Sequence, residues 1–146
     1  MTELEELPDE YRIVLVGTND RIDKELPKKI ISIHQTMNQQ ELAEIYSAAD
    51  VYVNPTREDN YPTVNMEAIA CGTPVITFRT GGSPEIPDDS CGCVVEIDDV
   101  EAMKAEIIRI CTEKPYSVEQ CLERAKSFDR NAKFDAYVKL YSEVLK

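Results

Sequence analysis

The chain has 146 residues, 42% hydrophobic and 30% charged, a balance that suits one ordinary globular domain. Sixteen basic against 28 acidic side chains leave a formal charge of −12, which argues against nucleic acid or an anionic membrane surface as the principal partner. No run of about 18 apolar residues exists to span a bilayer. The acidic start MTELEELPDEYR lacks the apolar core of a secretion signal, so a cytoplasmic location is expected.

Taken in chain order, the sequence alternates between apolar runs and helical periodicity. Residues 12–17 form a continuous apolar run closed by Gly17, the pattern of a strand buried on both faces. The charged stretch 18–28 is weakly patterned and is read as loop or short helix. A second strand is predicted at 29–33. Asn38 and Glu41 then stand as a capping-box pair ahead of Leu42, Ile45, Tyr46 and Ala49 on one helical face. The run 51–53, stopped by Asn54-Pro55, is a third strand, and Val64 to Cys71 a helix ended by Gly72.

Strands are predicted again at 74–78 and 93–96. Asp98 and Glu101 suggest a capping box for a helix whose stripe is Val100, Met103, Ile107, Ile108 and Cys111. Ser117 and Gln120 open a shorter helix. Phe134, Tyr137, Val138, Tyr141 and Leu145 make an amphipathic stripe near the end, expected to be core. Strand–helix alternation with short connections implies a Rossmann-like three-layer α/β/α domain around a parallel sheet. The five cysteines show no metal-ligand spacing and are expected to be reduced, buried thiols.

The segment NPTREDNYPTVNMEAIACGTPVI, residues 54–76, runs from the end of the third strand through a polar loop into a helix. Ligands of open α/β sheets bind at the carboxyl ends of the strands, where this loop lies. Asn60, Tyr61, Pro62 and Thr63 lead into a helix start, whose unpaired N–H groups and dipole supply a local positive field on an acidic chain. Asp59 and Glu67 would remain free to accept hydrogen bonds from sugar hydroxyls. Their spacing alone is weak, since roughly five acidic pairs eight apart arise by chance in such a composition.

The whole string is more specific. Asp59, seven intervening residues, Glu67 and then AIACGTPVI resemble the nucleotide-sugar site of the family 4 retaining glycosyltransferases, which have the GT-B architecture of two facing Rossmann-like domains. The resemblance extends to the stretch 44–51 before the site and to Phe78-Arg-Thr-Gly-Gly-Ser-Pro-Glu-Ile86 after it, covering about residues 12–112. It implies one half of a GT-B fold, a UDP- or GDP-type sugar donor, and no cofactor or metal. It further implies that Asp59 meets the donor sugar, that Glu67 holds the ribose, and that the backbone at Thr63 and Val64 meets the diphosphate. His34 would lie beside the base, and Gly81 and Gly82 would let backbone approach the donor.

The family usually has glutamate where Asp59 stands. The shorter side chain displaces the carboxylate by about 1.5 Å, which leaves neighbouring Glu58 as an alternative first acid. The family's arginine–lysine pair that grips the diphosphate would precede residue 12. The chain is therefore expected to be the donor-binding C-terminal domain over residues 1–146, truncated at its N-terminal edge and parted from an acceptor domain. Alone it is expected to transfer no sugar, and the longer parent could attach to the inner face of the membrane. Rival readings are a GT-B nucleotide-sugar epimerase and a non-catalytic nucleotide-binding or regulatory α/β domain. No strand is followed by GxGxxG, which disfavours a dinucleotide site. Asp88-Asp89 and Asp98-Asp99 are weighed as cation ligands and set aside, Asp98 being read as a helix cap.

Overall fold

The computed structural model describes residues 7–145; the start of the acidic N-terminal stretch, residues 1–6, lies outside them. The chain divides into two compact units, Met1–Ile45 and Tyr46–Lys146, each built around its own parallel sheet.

In the first unit, β1 (Ile13–Val16) pairs in parallel with β2 (Ile30–Ile33), Val14 opposite Ile31. The charged stretch between them holds one helical turn, α1 (Asp20–Asp23), because the Asn19 carboxamide accepts from the N–H groups of Arg21 and Ile22. The division between units falls within α2 (Gln39–Ala48), whose start is half of the expected capping box. Asn38 Oδ1 accepts from Glu41 N–H at 2.9 Å, but the Glu41 carboxylate reaches past Asn38 to the Met37 N–H at 2.6 Å.

The second unit has the strand order β3-β4-β5, with β3 at Tyr52–Asn54, β4 at Val75–Phe78 and β5 at Gly92–Val95, all parallel. All four residues of the central strand β4 are buried. Since successive side chains point to opposite faces, both faces are covered, which makes a three-layer arrangement. The cover comes from α3 (Thr63–Ala70) and α4 (Val100–Glu113), which pack against β4, with α5 (Val118–Ala125) packed on α3. Single 3-10 turns stand at Ser83–Glu85 and Lys126–Phe128, and α6 (Arg130–Val144) ends the described chain. The fold class is the expected one, with the parallel strands shared between two sheets of two and three strands.

Local signals explain most helix ends. Helix α3 closes in a Schellman turn: Thr73 N–H reaches Ala68 O and Gly72 N–H reaches Ile69 O, with Gly72 at φ +83°. A Cβ there would meet Val118 Cγ1 at 2.7 Å, so this glycine also sets how closely α5 sits on α3. The Ser117–Gln120 capping box forms in full.

Three expectations are corrected. The α4 cap is Asp99, which accepts from Ala102 N–H, while Asp98 takes a left-handed φ of +65°. The α4 stripe is Met103, Ile107 and Ile110, with Ile108 40% exposed, because the i, i+4, i+7 row faces the sheet. The α6 stripe is not core: Phe134, Tyr137, Val138, Tyr141 and Leu145 are all exposed, since none of the described residues covers them.

Candidate functional site

The loop that carries the motif begins at the carboxyl end of β3, and its first residue is buried. Asn54, 5% exposed, donates through Nδ2 to Asn65 Oδ1 at 2.8 Å, tying the strand end to the helix that follows the loop. Its Oδ1 accepts from the Thr56 hydroxyl at 2.5 Å and from Thr56 N–H at 3.3 Å, which turns the chain into the loop. Asn65 lies on the buried side of α3 with Ala68 and Ile69, the i, i+3, i+4 row that faces the sheet. A polar residue on that otherwise apolar row is the one sequence signal for this tie. The Asn65 side-chain Nδ2 group, like the hydroxyl of Ser83, is buried without a hydrogen-bond partner.

Asp59 follows in the loop and accepts from Tyr61 N–H at 3.1 Å, an Asx turn that aims the chain at the helix. Pro62 is the α3 N-cap and supplies no side-chain hydrogen bond, so no side chain closes this helix start. Tyr61, Thr63 and Val64 are exposed beside it, whereas Pro62 is buried. Asn60, Tyr61, Pro62 and Thr63 thus lead into the start of α3, with no side-chain bond from its N-cap.

Glu67 lies one turn into α3 and is exposed. Two tyrosines face the motif acids, and neither stood out in the sequence. Tyr46 and Tyr52 stack edge to face with centroids 5.3 Å apart. Burial, then each other's charge and that of Glu67, pushes the Tyr46 phenol well above its ordinary range. Tyr52 is raised by burial first, then by Glu67 and, more weakly, by Asp59.

The Gly81-Gly82 turn presses against the same loop. A Cβ on Gly81, at φ +46°, would stand 1.9 Å from Asp59 O, and one on Gly82 would stand 2.6 Å from Asn60 O. Only glycine permits that approach. Gly82 N–H donates to Asn60 O at 2.7 Å, and the Thr80 hydroxyl to Arg57 O at 2.8 Å. Two arginines at this sheet edge are matched by acids: Arg57 with Asp98 at 2.7 Å and Arg79 with Glu96 at 2.7 Å, both exposed pairs of small energetic weight.

His34 follows β2 in the first unit, where its Nε2 meets Asp23 at 2.6 Å and Asp20 at 3.9 Å. Ser32 donates to the other oxygen of Asp23 at 2.5 Å and also pairs with Thr18. The hydrogen bond with Asp23 raises the His34 pKa above its usual value, while Ser32 first and His34 second lower that of Asp23. Asp20, Asp23 and His34 bring their ligand atoms within 4.8 Å of one another, a set that could take a divalent cation. The acid pairs weighed for metal have other duties. Asp88 accepts from Ser90, Asp98 pairs with Arg57, and Asp99 caps α4.

All five cysteines are free thiols; Cys91 and Cys121 are buried as expected, whereas Cys71, Cys93 and Cys111 are only half-buried. Burial is the leading cause that raises each, Cys93 to about 12 and Cys121 to about 11.

Comparison with known proteins supplies the family. Residues 1–113 match the family model described as glycosyl transferases group 1. A D-inositol 3-phosphate glycosyltransferase of Saccharomonospora viridis is 32% identical over 110 residues, 73% of this chain and 26% of that protein. An MMP alpha-(1->4)-mannosyltransferase of Mycolicibacterium hassiacum is 29% identical over 70% of this chain and 23% of its own length. The chain thus spans about a quarter of the curated relatives it matches. Among solved structures, sucrose-phosphate synthase from Thermosynechococcus elongatus superposes with a TM-score of 0.83 at 26% identity, over 99% of this chain and 41% of that one. Anabaena HepE, solved in complex with UDP, shares the fold with a TM-score of 0.80 at 18% identity, over 97% and 43%. With a GT-B-like glycosyltransferase fold and a match over most of its length, the chain belongs to the glycosyl transferases group 1 family.

Proposed function

We propose that this chain is the C-terminal, donor-binding domain of a family 4 retaining glycosyltransferase, and that its parent moves a sugar from a nucleoside diphosphate to a hydroxyl acceptor held by a separate domain. The observation that carries the reading is the start of α3, which its N-cap Pro62 leaves without a side-chain bond after the carboxyl end of β3, with Asp59 in the loop before it and exposed Glu67 one turn into it. The family and the UDP held by Anabaena HepE support a nucleotide-sugar ligand of the UDP or GDP type.

In this reading the amides of Thr63 and Val64 take the diphosphate, and the helix dipole offsets the acidic surroundings. Glu67 accepts from the ribose hydroxyls. Asp59 accepts from the sugar, where charge develops as the glycosidic bond breaks, with Glu58 as the alternative. Gly81 and Gly82 let their turn close against Asp59–Tyr61, and any approach of their backbone to the donor rests on the family resemblance. The part proposed for His34 beside the base rests on the resemblance alone. The protein's contribution is positioning and electrostatic stabilisation of the leaving diphosphate.

Titration of the chain with UDP and with GDP, followed by NMR, tests this. Amide signals at 59–67 should move first; largest shifts near Cys91 or residues 117–127 would put the site elsewhere. Glu67→Ala should weaken binding of the free nucleoside diphosphate, whereas Asp59→Asn should spare it. In the longer parent Glu67→Ala should mainly raise KM for the donor and Asp59→Asn mainly lower kcat. A silent Asp59→Asn beside an inactive Glu58→Gln would move the first acid to Glu58.

A further inference from the structure

The turn that presses on the motif loop is itself held from behind by one side chain. Arg124, on α5, donates from Nη2 to Glu85 O at 2.6 Å and from Nε to Ile86 O at 2.9 Å. Its fork thus closes the carboxyl end of the 3-10 turn Ser83–Glu85. Asp88 Oδ2 lies 3.5 Å from the same Nε, and the guanidinium carbon lies 4.8 Å from the centroid of the Phe128 ring. Charge-assisted bonds to two successive carbonyls, with a ring over the plane, hold a guanidinium in one orientation.

The other end of that segment is fastened to the motif loop by Gly82 N–H on Asn60 O and the Thr80 hydroxyl on Arg57 O. Between the two ends, Ser83 and Ile86 are wholly buried, so the segment cannot slide without opening the core. Residues 80–86 therefore form a strut, with Arg124 at one end and the Asp59 loop at the other. The anchor of the strut is itself fixed, because α5 seats Val118 against Gly72 at the end of α3.

We infer that Arg124 is a positioning residue for the nucleotide-sugar site: it touches no ligand and sets how deeply Gly81-Gly82 presses on Asp59–Tyr61. This rests on the donor-site reading above. A purely structural tie would instead resemble Arg109, which bonds Glu106 and the Tyr116 hydroxyl, while Tyr116 donates to Gly92 O on β5. The hydrogen bonds and ring contact of Arg109 go to Glu106 and Tyr116 and not to residues 80–86, so Arg109→Ala is the matched control.

The experiment compares Arg124→Ala, Arg124→Lys and Arg109→Ala in the whole chain by ligand-free amide spectra, calorimetric binding of UDP and GDP, and melting temperature. Arg124→Ala should displace the amide signals of Asn60, Tyr61, Gly81 and Gly82. It should weaken nucleoside diphosphate binding about tenfold, the scale of a lost charge-assisted hydrogen bond. Arg109→Ala should lower the melting temperature by a similar amount yet keep binding within about twofold. Arg124→Lys, which offers a point charge and no fork, should recover melting temperature more than affinity. Unmoved signals at 60–61 and 81–82 in Arg124→Ala, or equal affinity loss in Arg109→Ala, would overturn the inference. If the unmodified chain binds neither UDP nor GDP, the donor-site reading fails, while the ligand-free spectra still decide on Arg124. If Arg124→Ala does not fold, Arg124→Gln and Arg124→Lys carry the same readout.

Discussion

Strands β1 and β4 are close relatives as text, Ile-Val-Leu-Val and Val-Ile-Thr-Phe, yet they live in different surroundings. In β4 all four side chains are buried, Thr77 included at 1% exposed, because a strand lies on each side and helices pack against it. In β1, Val14 and Val16 are 43% and 42% exposed, and Ile31, opposite Val14 on β2, is 48% exposed. An apolar run states what environment a strand requires. Its neighbours decide whether that environment is supplied, and a two-stranded sheet supplies little of it.

The comparison can be broken most directly by truncating both strands. Ile76→Ala should cost about 2–5 kcal/mol, because it empties a fully buried site. Val14→Ala should cost less than about 1 kcal/mol. Native-state hydrogen exchange in β4 and β1 would measure both, and comparable costs would mean that the β1 face is covered in solution. A smaller effect sharpens the contrast at the motif loop. Gly81→Ala and Gly82→Ala should each cost about 1–3 kcal/mol through the collision with residues 59–61, and should leave amide signals of the first unit unmoved. A melting temperature unchanged by either would show that the turn does not press on the loop as described.

The smallest effect belongs to the first unit alone. His34 is raised above its ordinary 6.5, chiefly by the Asp23 hydrogen bond, so its stabilising contribution is complete below pH 6.5 and is lost as the pH rises through the raised value. Asp23 is lowered from 3.8, chiefly by Ser32, so its contribution is present above 3.8 and is lost as the pH falls through the lowered value. Exchange protection in β2 should therefore be flat between those limits and weaken on either side. The His34 ring should titrate above 6.5 by NMR and return toward it in Asp23→Asn. A ring that titrates below 6.5 would refute the pairing.

Much of this was legible in the sequence where the signal is local. All five strands, the Ser117–Gln120 capping box and the Gly72 helix end depend on residues a few positions apart. Legibility failed where the deciding partner is distant in sequence. Asp98 loses the cap to Asp99 because its backbone takes a left-handed φ of +65°, and its carboxylate meets Arg57, 41 positions earlier, instead. Ile110 outranks Ile108 because the sheet lies on one side of α4 only. The α6 stripe has the period of a buried helix, and periodicity cannot state what is available to bury it. At the site, the motif acids and the helix start were readable as text. The Tyr46–Tyr52 pair and the Asn54–Asn65 tie were not, because each joins residues on different elements that only folding brings together.

The raised thiols have a practical consequence for following this molecule in time. Alkylating reagents attack thiolate, and with Cys93 near 12 and Cys121 near 11 almost none is present at neutral pH in the folded protein. Cys121 is fully buried and Cys93 half-buried, so their labelling should be slow in the folded protein and speed up when opening releases α5 or β5 to water. Pulse alkylation with peptide mapping would then read two internal clocks, Cys93 for the sheet edge and Cys121 for the helix that carries Arg124, without a probe being introduced.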